Sequence, residues 1–472
     1  YIAGSRDAIA ESGRFRVFFL LAMAGNLGLI VAQDMVSFYF GFALMGLSAY
    51  GLIANTASRR ARRAARTYLA WTSAGELLLF TAIISLTASG GGALNFDALQ
   101  SIQRSPLTVL LLIAGFGIKL ALPLLHWWLP PVYAVTPVAA VAVFSGVMIK
   151  AGLLGLLRFL PPGETTPAGW GMLLVVIGAA TIFFGVIAGL LQKRPRLLLG
   201  YSSISKMGVL TTGLGAALAF PVAAPGIVAA LLFYATHHAL AKTALFLGLG
   251  LVERSGLRLS LLIGLGFLAL VLAGAPLSSG ALAKSALSDS LSQAVPVLVT
   301  LLAASTLATT LLMVRFMFLL WTRRRQGIMP LPGVPLSAWL GLVALIMALP
   351  FVLAGIDQLM INVIPVSLGL LLGLVAIRVG SRVFPVLIGG RKRAGIQAFS
   401  SHLRAAFRHE LKKKRFDNTL QGIALAVAAY QRQAGEWLAR LQCRTESARR
   451  PLIGALWLGI AGGLLGALAA AT

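Results

Sequence analysis

Apolar runs of about 20 residues recur along most of this 472-residue chain, each bounded by a short stretch holding Arg, Lys, Gly or Pro. They lie near 15–33, 36–54, 67–88, 106–128, 134–158, 170–191, 198–218, 222–250, 260–287, 293–320, 336–356, 361–380 and 451–471. A run of that length crosses the hydrocarbon layer as a helix. The pattern therefore predicts an all-α polytopic membrane protein with about 13 transmembrane helices. Residues 391–450 break the rhythm. They are rich in Arg, Lys, Gln and Ala, with Leu403, Phe407, Leu411, Leu420, Ile423, Val427, Tyr430, Trp437 and Leu441 at helical spacing. That spacing predicts a basic amphipathic helix lying at the membrane interface before one last span. Fully helical, it would reach roughly 90 Å at about 1.5 Å per residue.

Proline interrupts two spans. Pro123, Pro130–Pro131 and Pro137 separate helix-length segments between Phe116 and Phe159, and Pro276 with Ser278, Ser279 and Gly280 interrupts 260–287. A proline within a span frees backbone groups, which only protein or a water-filled cavity can satisfy. Charge refines the segmentation. The chain is 58% hydrophobic and 11% charged, against about a quarter charged in soluble domains. With alternate loops assigned to two sides, one side collects Arg14, Arg16, Arg59, Arg60, Arg62, Arg63, Arg66, Lys193, Arg194, Arg196, Arg254, Arg258, Arg323, Arg324, Arg325 and all of 391–450. The other side receives little beyond Arg104 and Arg158. The positive-inside rule makes the basic side cytoplasmic. The net charge of +27 thus reflects topology and attraction to anionic lipid, and argues against nucleic acid as a partner.

Composition also limits the chemistry. The single cysteine, Cys443, excludes a disulfide framework and a cysteine-ligated iron–sulfur cluster within the chain. The five histidines show no metal-ligand spacing, and no phosphate-binding loop is present, so neither cofactor nor metal is expected. The chain opens on Tyr1 without a signal-peptide pattern, which suggests that the true N-terminus lies further upstream.

What remains is a set of ionisable residues inside apolar spans, costly there and functional by default. Lys119 precedes Pro123 by four residues, and His126 and Lys150 follow. In FYATHHALAKTALFLGLG, His238 and Lys242 are four apart and share a helix face. His237 points about 100° away. Lys206 in RLLLGYSSISKMG is either a pathway group or a lysine snorkelling to the headgroups. Lys284 follows the Pro276 interruption in GAPLSSGALAKSALSD, which ends on Asp289. Glu76 is the acid nearest Lys119 in sequence among intramembrane positions. Groups that gain and lose a proton, spaced for relay through water, are what proton transfer across a membrane needs. An amine suits the task because burial and neighbouring cations bring its proton affinity towards working pH.

These motifs resemble the antiporter-like membrane subunits shared by respiratory complex I, Mrp-type cation/proton antiporters and membrane-bound hydrogenases, of the hydrogenase-4-like or distal complex I-like kind. The family has a span with a central Lys, an H-x-WLP segment, a Pro-containing turn, and a span with K-x-G and a terminal Arg. Here these are Lys119, His126-Trp127-Trp128-Leu129-Pro130, Pro137, Lys150-Ala151-Gly152 and Arg158. The YSS-x-S helix matches at Tyr201–Ser205 and includes Ser203, with Lys206 where the family often has Gln. HA-x-x-K matches at His238–Lys242, and the second broken helix carries Lys284.

The resemblance implies two inverted five-helix repeats containing broken helices, with span 15–33 as the family's fourth helix. It places a first repeat in 1–158, a second in 159–320, further transmembrane helices in 321–390, a lateral helix in 391–450 running along neighbouring subunits, and a final anchor in 451–472. It implies a relay through Lys119, Lys150, His238, Lys242 and Lys284, in a subunit of a proton-translocating complex in a bacterial-type energy-coupling membrane. Monovalent cation/proton exchange and proton-driven inorganic-carbon uptake stay open as alternatives, with sodium as the alternative ion.

One departure matters. The family's Trp-Glu pair, whose Glu partners the first lysine, is Phe42-Ala43 here. Three readings remain: Glu76 replaces that acid, or the first half-channel lacks charge modulation, or Glu76 packs against an unrelated Ser, Thr or Trp. A chain whose missing Glu has ended pumping would be a structural remnant.

Overall fold

A computed structural model describes residues 13–56, 58–162, 168–292, 294–322, 330–353 and 362–383, with side chains described to residue 377. The expected lateral helix, the final anchor and Cys443 lie outside the described residues. Among the described residues, fifteen α-helices follow one another: α1 (Gly13–Val31), α2 (Met35–Ala54), α3 (Arg59–Ser89), α4 (Pro106–Leu120), α5 (Leu129–Val135), α6 (Val138–Gly146), α7 (Ala151–Phe159), α8 (Ala168–Leu190), α9 (Pro195–Ala219), α10 (Ala224–Ser255), α11 (Leu259–Ala273), α12 (Ser279–Ser292), α13 (Pro296–Thr322), α14 (Gly333–Leu353) and α15 (Val363–Val383). Among the described residues, eight stretches are long and apolar enough to cross a membrane, one being α6 through α7. With no bulk water in such a layer, every backbone group must be paired within the protein, and helices do this locally.

Helix starts follow local chemistry. Asp34 caps α2, accepting from the Val36 and Ser37 amides at 2.9 and 2.8 Å. The Ser37 hydroxyl and amide hold this carboxyl below its ordinary value. Ser58 caps α3 and Ser105 caps α4, each side chain accepting from an amide three residues on, and Pro106 opens α4, where its missing N–H costs nothing.

The helix breaks are explicit. α4 stops one residue beyond Lys119; Ala121 takes a left-handed conformation (φ 55°) and Leu124 another (φ 68°) on either side of Pro123. The Trp128 indole N–H donates to the Ile118 carbonyl at 2.7 Å, satisfying an acceptor beside the break. Lys119 therefore ends a half-helix, whereas the sequence pattern placed it mid-span. Pro130 and Pro131 do not separate segments; they fall in the first turn of α5, which tolerates proline. A 3₁₀ turn at Met148–Lys150 interrupts α6 and α7. α11 ends on Gly274 (φ 84°), and Leu277 (φ 60°) precedes α12. Non-glycine residues held left-handed concentrate at functional sites.

Two helix pairs approach through small residues. Gly171, Gly178 and Gly185 recur every seven residues in α8 against Gly208 and Gly215 of α9. A Cβ at Gly178 would lie 2.5 Å from the Thr212 amide nitrogen, and one at Gly185 equally close to that of Ser205. Gly25 of α1 and Gly41 of α2 meet the partner backbone in the same way. Helix backbones in lipid pack closely where side chains are absent. Arg158 closes the first half, donating to the Leu29, Ile30 and Ala32 carbonyls at the end of α1 at 3.2, 2.6 and 2.6 Å. Arg196 pairs with Glu253 and also donates to the Thr136 carbonyl at 3.0 Å, tying the end of α5 to α9 and α10.

Candidate functional site

The first group of polar side chains sits where α2, α3 and α4 meet. Tyr68, Thr72 and Glu76 are four apart and line one face of α3. Opposite them, the last turn of α4 carries Lys119, buried, whose Nζ donates to the Tyr68 hydroxyl at 3.1 Å. The same amine lies 5.2 Å from the Phe42 ring centre and 5.5 Å from that of Tyr68. Both are within cation–π reach. The Glu76 Oε1 is buried and has no hydrogen-bond partner. No ion pair within 4.0 Å joins it to Lys119; among the described residues that distance is met by Arg196 and Glu253. Yet both groups border one spot on α2: a Cβ at Gly46 would lie 2.7 Å from Oε1 and 3.8 Å from Nζ.

The second group lies where α6, α9, α10, α12 and α13 converge. Interrupting α6 at Gly146 leaves carbonyls without a helical donor, and Lys150 fills the gap: its Nζ donates to the Ser145 and Gly146 carbonyls at 2.9 and 2.5 Å. Ser145 and Ser203 join side chain to side chain at 2.8 Å, linking α6 to α9. One turn earlier on α9, the Leu199 carbonyl accepts from Ser203 at 3.1 Å and from Lys242 at 2.8 Å. His238 is fully buried, with neither ring nitrogen partnered. Lys150, Lys242, His237 and Lys206 lie within electrostatic range of it. Lys206 is buried and donates to the Thr309 hydroxyl at 2.6 Å, so it does not snorkel. His237 pairs with Ser279 at 3.0 Å. It too faces the interior, although helical spacing put it off the His238 face, because α12 packs there. Lys284 is buried and donates to the Ala273 carbonyl, the last of α11.

His126 stands apart from both groups, buried in the turn between α4 and α5 with its ring 4.7 Å from that of Phe184. Asp289 is exposed and accepts from Ser285 at 3.1 Å. Tyr68, Thr309 and Ser145 were not singled out by the sequence, and Ser279 only as part of a helix break, since nothing in local spacing marks a hydroxyl as the partner of a distant amine or imidazole. Among the described acids, Asp34, Glu76, Asp97, Glu253 and Asp289, only Glu76 lies mid-helix. The arrangement can hold and pass protons between hydroxyls, amines and imidazoles.

A family signature described as "NADH:quinone oxidoreductase/Mrp antiporter, TM" matches residues 32–322, more than half the chain. Hydrogenase-4 component B of Escherichia coli K12 is 30% identical over 256 residues, 52% of this chain and 37% of that protein. NADH-quinone oxidoreductase subunit N of Desulforudis audaxviator is 34% identical over 298 residues, 59% of this chain and 55% of that one. The chain spans about half the length of the curated relatives it matches, or less. Among solved structures, the Mrp complex from a Dietzia species matches with a TM-score of 0.68 at 22% identity, covering 94% of this chain and 54% of the other. The archaeal membrane-bound sulfane sulfur reductase, a respiratory membrane complex, matches with a TM-score of 0.65 at 21% identity, covering 78% and 80%. At these identities the two structures speak for the fold.

Proposed function

This integral membrane protein belongs to the NADH:quinone oxidoreductase/Mrp antiporter transmembrane family, and from that premise we propose that it is a proton-translocating subunit of a larger energy-coupling complex. The observation that carries this reading is the set of buried Lys119, His238, Lys242 and Lys284 with half-buried Lys150, each bonded to a hydroxyl or a helix-end carbonyl or left unpaired. Buried ionisable groups beside broken helices are the layout of an ion path. In this reading, 1–158 and 159–320 are the two inverted repeats, 321–390 adds helices, the basic loops face the cytoplasm, and 391–450 reaches along neighbouring subunits ahead of an anchor at 451–472. His126, His237, Lys206, Ser203 and Asp289 serve as flanking groups.

Two measurements test the reading. Gently solubilised, the chain should co-isolate with other membrane proteins, and iron–sulfur, quinone or hydrogenase subunits among them would name the driving reaction. A stable, monodisperse single chain that moves protons alone in liposomes would overturn it. The second measurement concerns the acid absent from position 43. We assign its role to Glu76, which borders Gly46 together with Lys119. Where two buried charges offset each other, removing one leaves the other uncompensated. Glu76→Gln should slow proton movement by the complex about tenfold or more, and adding Ala43→Glu in that background should restore part of it. An unchanged rate in Glu76→Gln would leave the first half unpaired.

A further inference from the structure

Gly46 is buried on α2, and the place a side chain would take there is already filled. A Cβ would come within 2.7 Å of Glu76 Oε1 and 2.9 Å of Thr72 Cγ2, with Lys119 Nζ beyond at 3.8 Å. Oε1 itself is buried without a hydrogen-bond partner. On its far side the Lys119 amine is fixed by the Tyr68 hydroxyl at 3.1 Å. Phe42, one turn earlier on α2, floors the amine with its ring 5.2 Å away. The Glu76 carboxylate and the Lys119 amine thus both border the surface of α2 at the one residue of that turn that has no side chain. Helix-forming alternatives at position 46 were available at lower conformational cost than glycine.

We infer that Gly46 is a positioning residue for proton transfer in the first half: its bare Cα is the slot that admits the Glu76 carboxylate to the vicinity of Lys119. This rests on the transport reading above and adds a requirement that Glu76 and Lys119 alone do not impose. Any side chain at position 46 must displace both the Glu76 carboxylate and the Thr72 methyl. The geometry also explains why an acid can be supplied from α3 when α2 carries Ala43: α2 gives up volume at one turn and α3 fills it.

The test separates carboxylate displacement from simple crowding. Thr72→Ser removes the Cγ2 methyl and leaves Glu76 as the nearest obstacle to a new Cβ. Gly46→Ala should therefore be made alone and together with Thr72→Ser, in the whole complex in its membrane. Two readouts apply: proton translocation, and the infrared carboxyl band of Glu76, identified by its loss in Glu76→Gln. In the double variant the band should shift, and translocation should fall on the order of tenfold relative to Thr72→Ser alone. Ala43→Glu should recover part of that loss by supplying the acid from α2 itself. An unmoved Glu76 band in the double variant overturns the inference, whatever the transport rate, because the residue would then only pack. Parental transport in both Lys119→Met and Glu76→Gln would instead overturn the transport reading, and the band shift would still report whether Gly46 places the carboxylate.

Discussion

Lys242→Met should lower proton translocation by the complex about a hundredfold or more while leaving it assembled. Lys242 is fully buried on α10, its Nζ donating to the Leu199 carbonyl at 2.8 Å. Methionine is similar in length and volume and fits a buried lysine's path without opening a cavity. The Leu199 carbonyl is not orphaned by the change, because Ser203 still donates to it at 3.1 Å. The chief loss is an exchangeable proton one turn from His238, whose ring nitrogens have no hydrogen-bond partner. Proton uptake by inverted vesicles, measured beside the yield of co-isolated subunits, checks both halves of the expectation. Parental uptake would remove Lys242 from the path. Loss of assembly would make it a structural amine.

Gly178→Leu should prevent the chain from accumulating in the membrane at all. A Cβ at position 178 meets the Thr212 amide nitrogen and hydroxyl at 2.5 Å and the Gly208 carbonyl at 2.8 Å. Two of these are backbone atoms, which cannot swing aside as a side-chain tip can. α8 would have to leave α9 along its length, since Gly171 and Gly185 hold the same register one heptad away on either side. Overpacking of this kind costs more than a relaxed core substitution. The control is Gly341→Ala on α14, where no atom lies within 4 Å of the new methyl. Membrane-fraction yield and thermal stability in detergent should be unchanged there and collapse for Gly178→Leu. Equal yields would mean that the α8–α9 approach is dispensable.

What the sequence showed clearly was whatever depends on neighbours along the chain. Apolar runs marked the helices, and Lys119, Lys242 and Lys284 stood out because an ammonium in such a run is costly. Local rules also located the interruption near Pro123, but not its extent: the left-handed Ala121 and Leu124 and the Trp128–Ile118 bond arise from how the returning chain packs. Pro130 and Pro131 misled because proline both breaks helices and opens them. His237 ranked below His238 by helical angle, which assumes one buried face, while α10 is packed on several sides by α6, α9 and α12. Tyr68, Gly46 and Thr309 were invisible for a common reason. Each matters through a residue far away in sequence, 51 positions from Tyr68 to Lys119 and 103 from Lys206 to Thr309. An absent side chain, as at Gly46, leaves no pattern to read.

The broken helix at Lys150 has a consequence for bookkeeping of protons against structure. Its amine bridges two carbonyls, those of Ser145 and Gly146. An ammonium has three N–H donors and a neutral amine still has two. The bridge therefore uses only what both forms possess. The third hydrogen is surplus to the architecture, so Lys150 can hand it on and take another back without the interruption between α6 and α7 opening or closing. Wherever a conduit must stay the same shape through a cycle of loading and emptying, a lysine doubly tethered to its own helix can act as a rigid post with one detachable hydrogen.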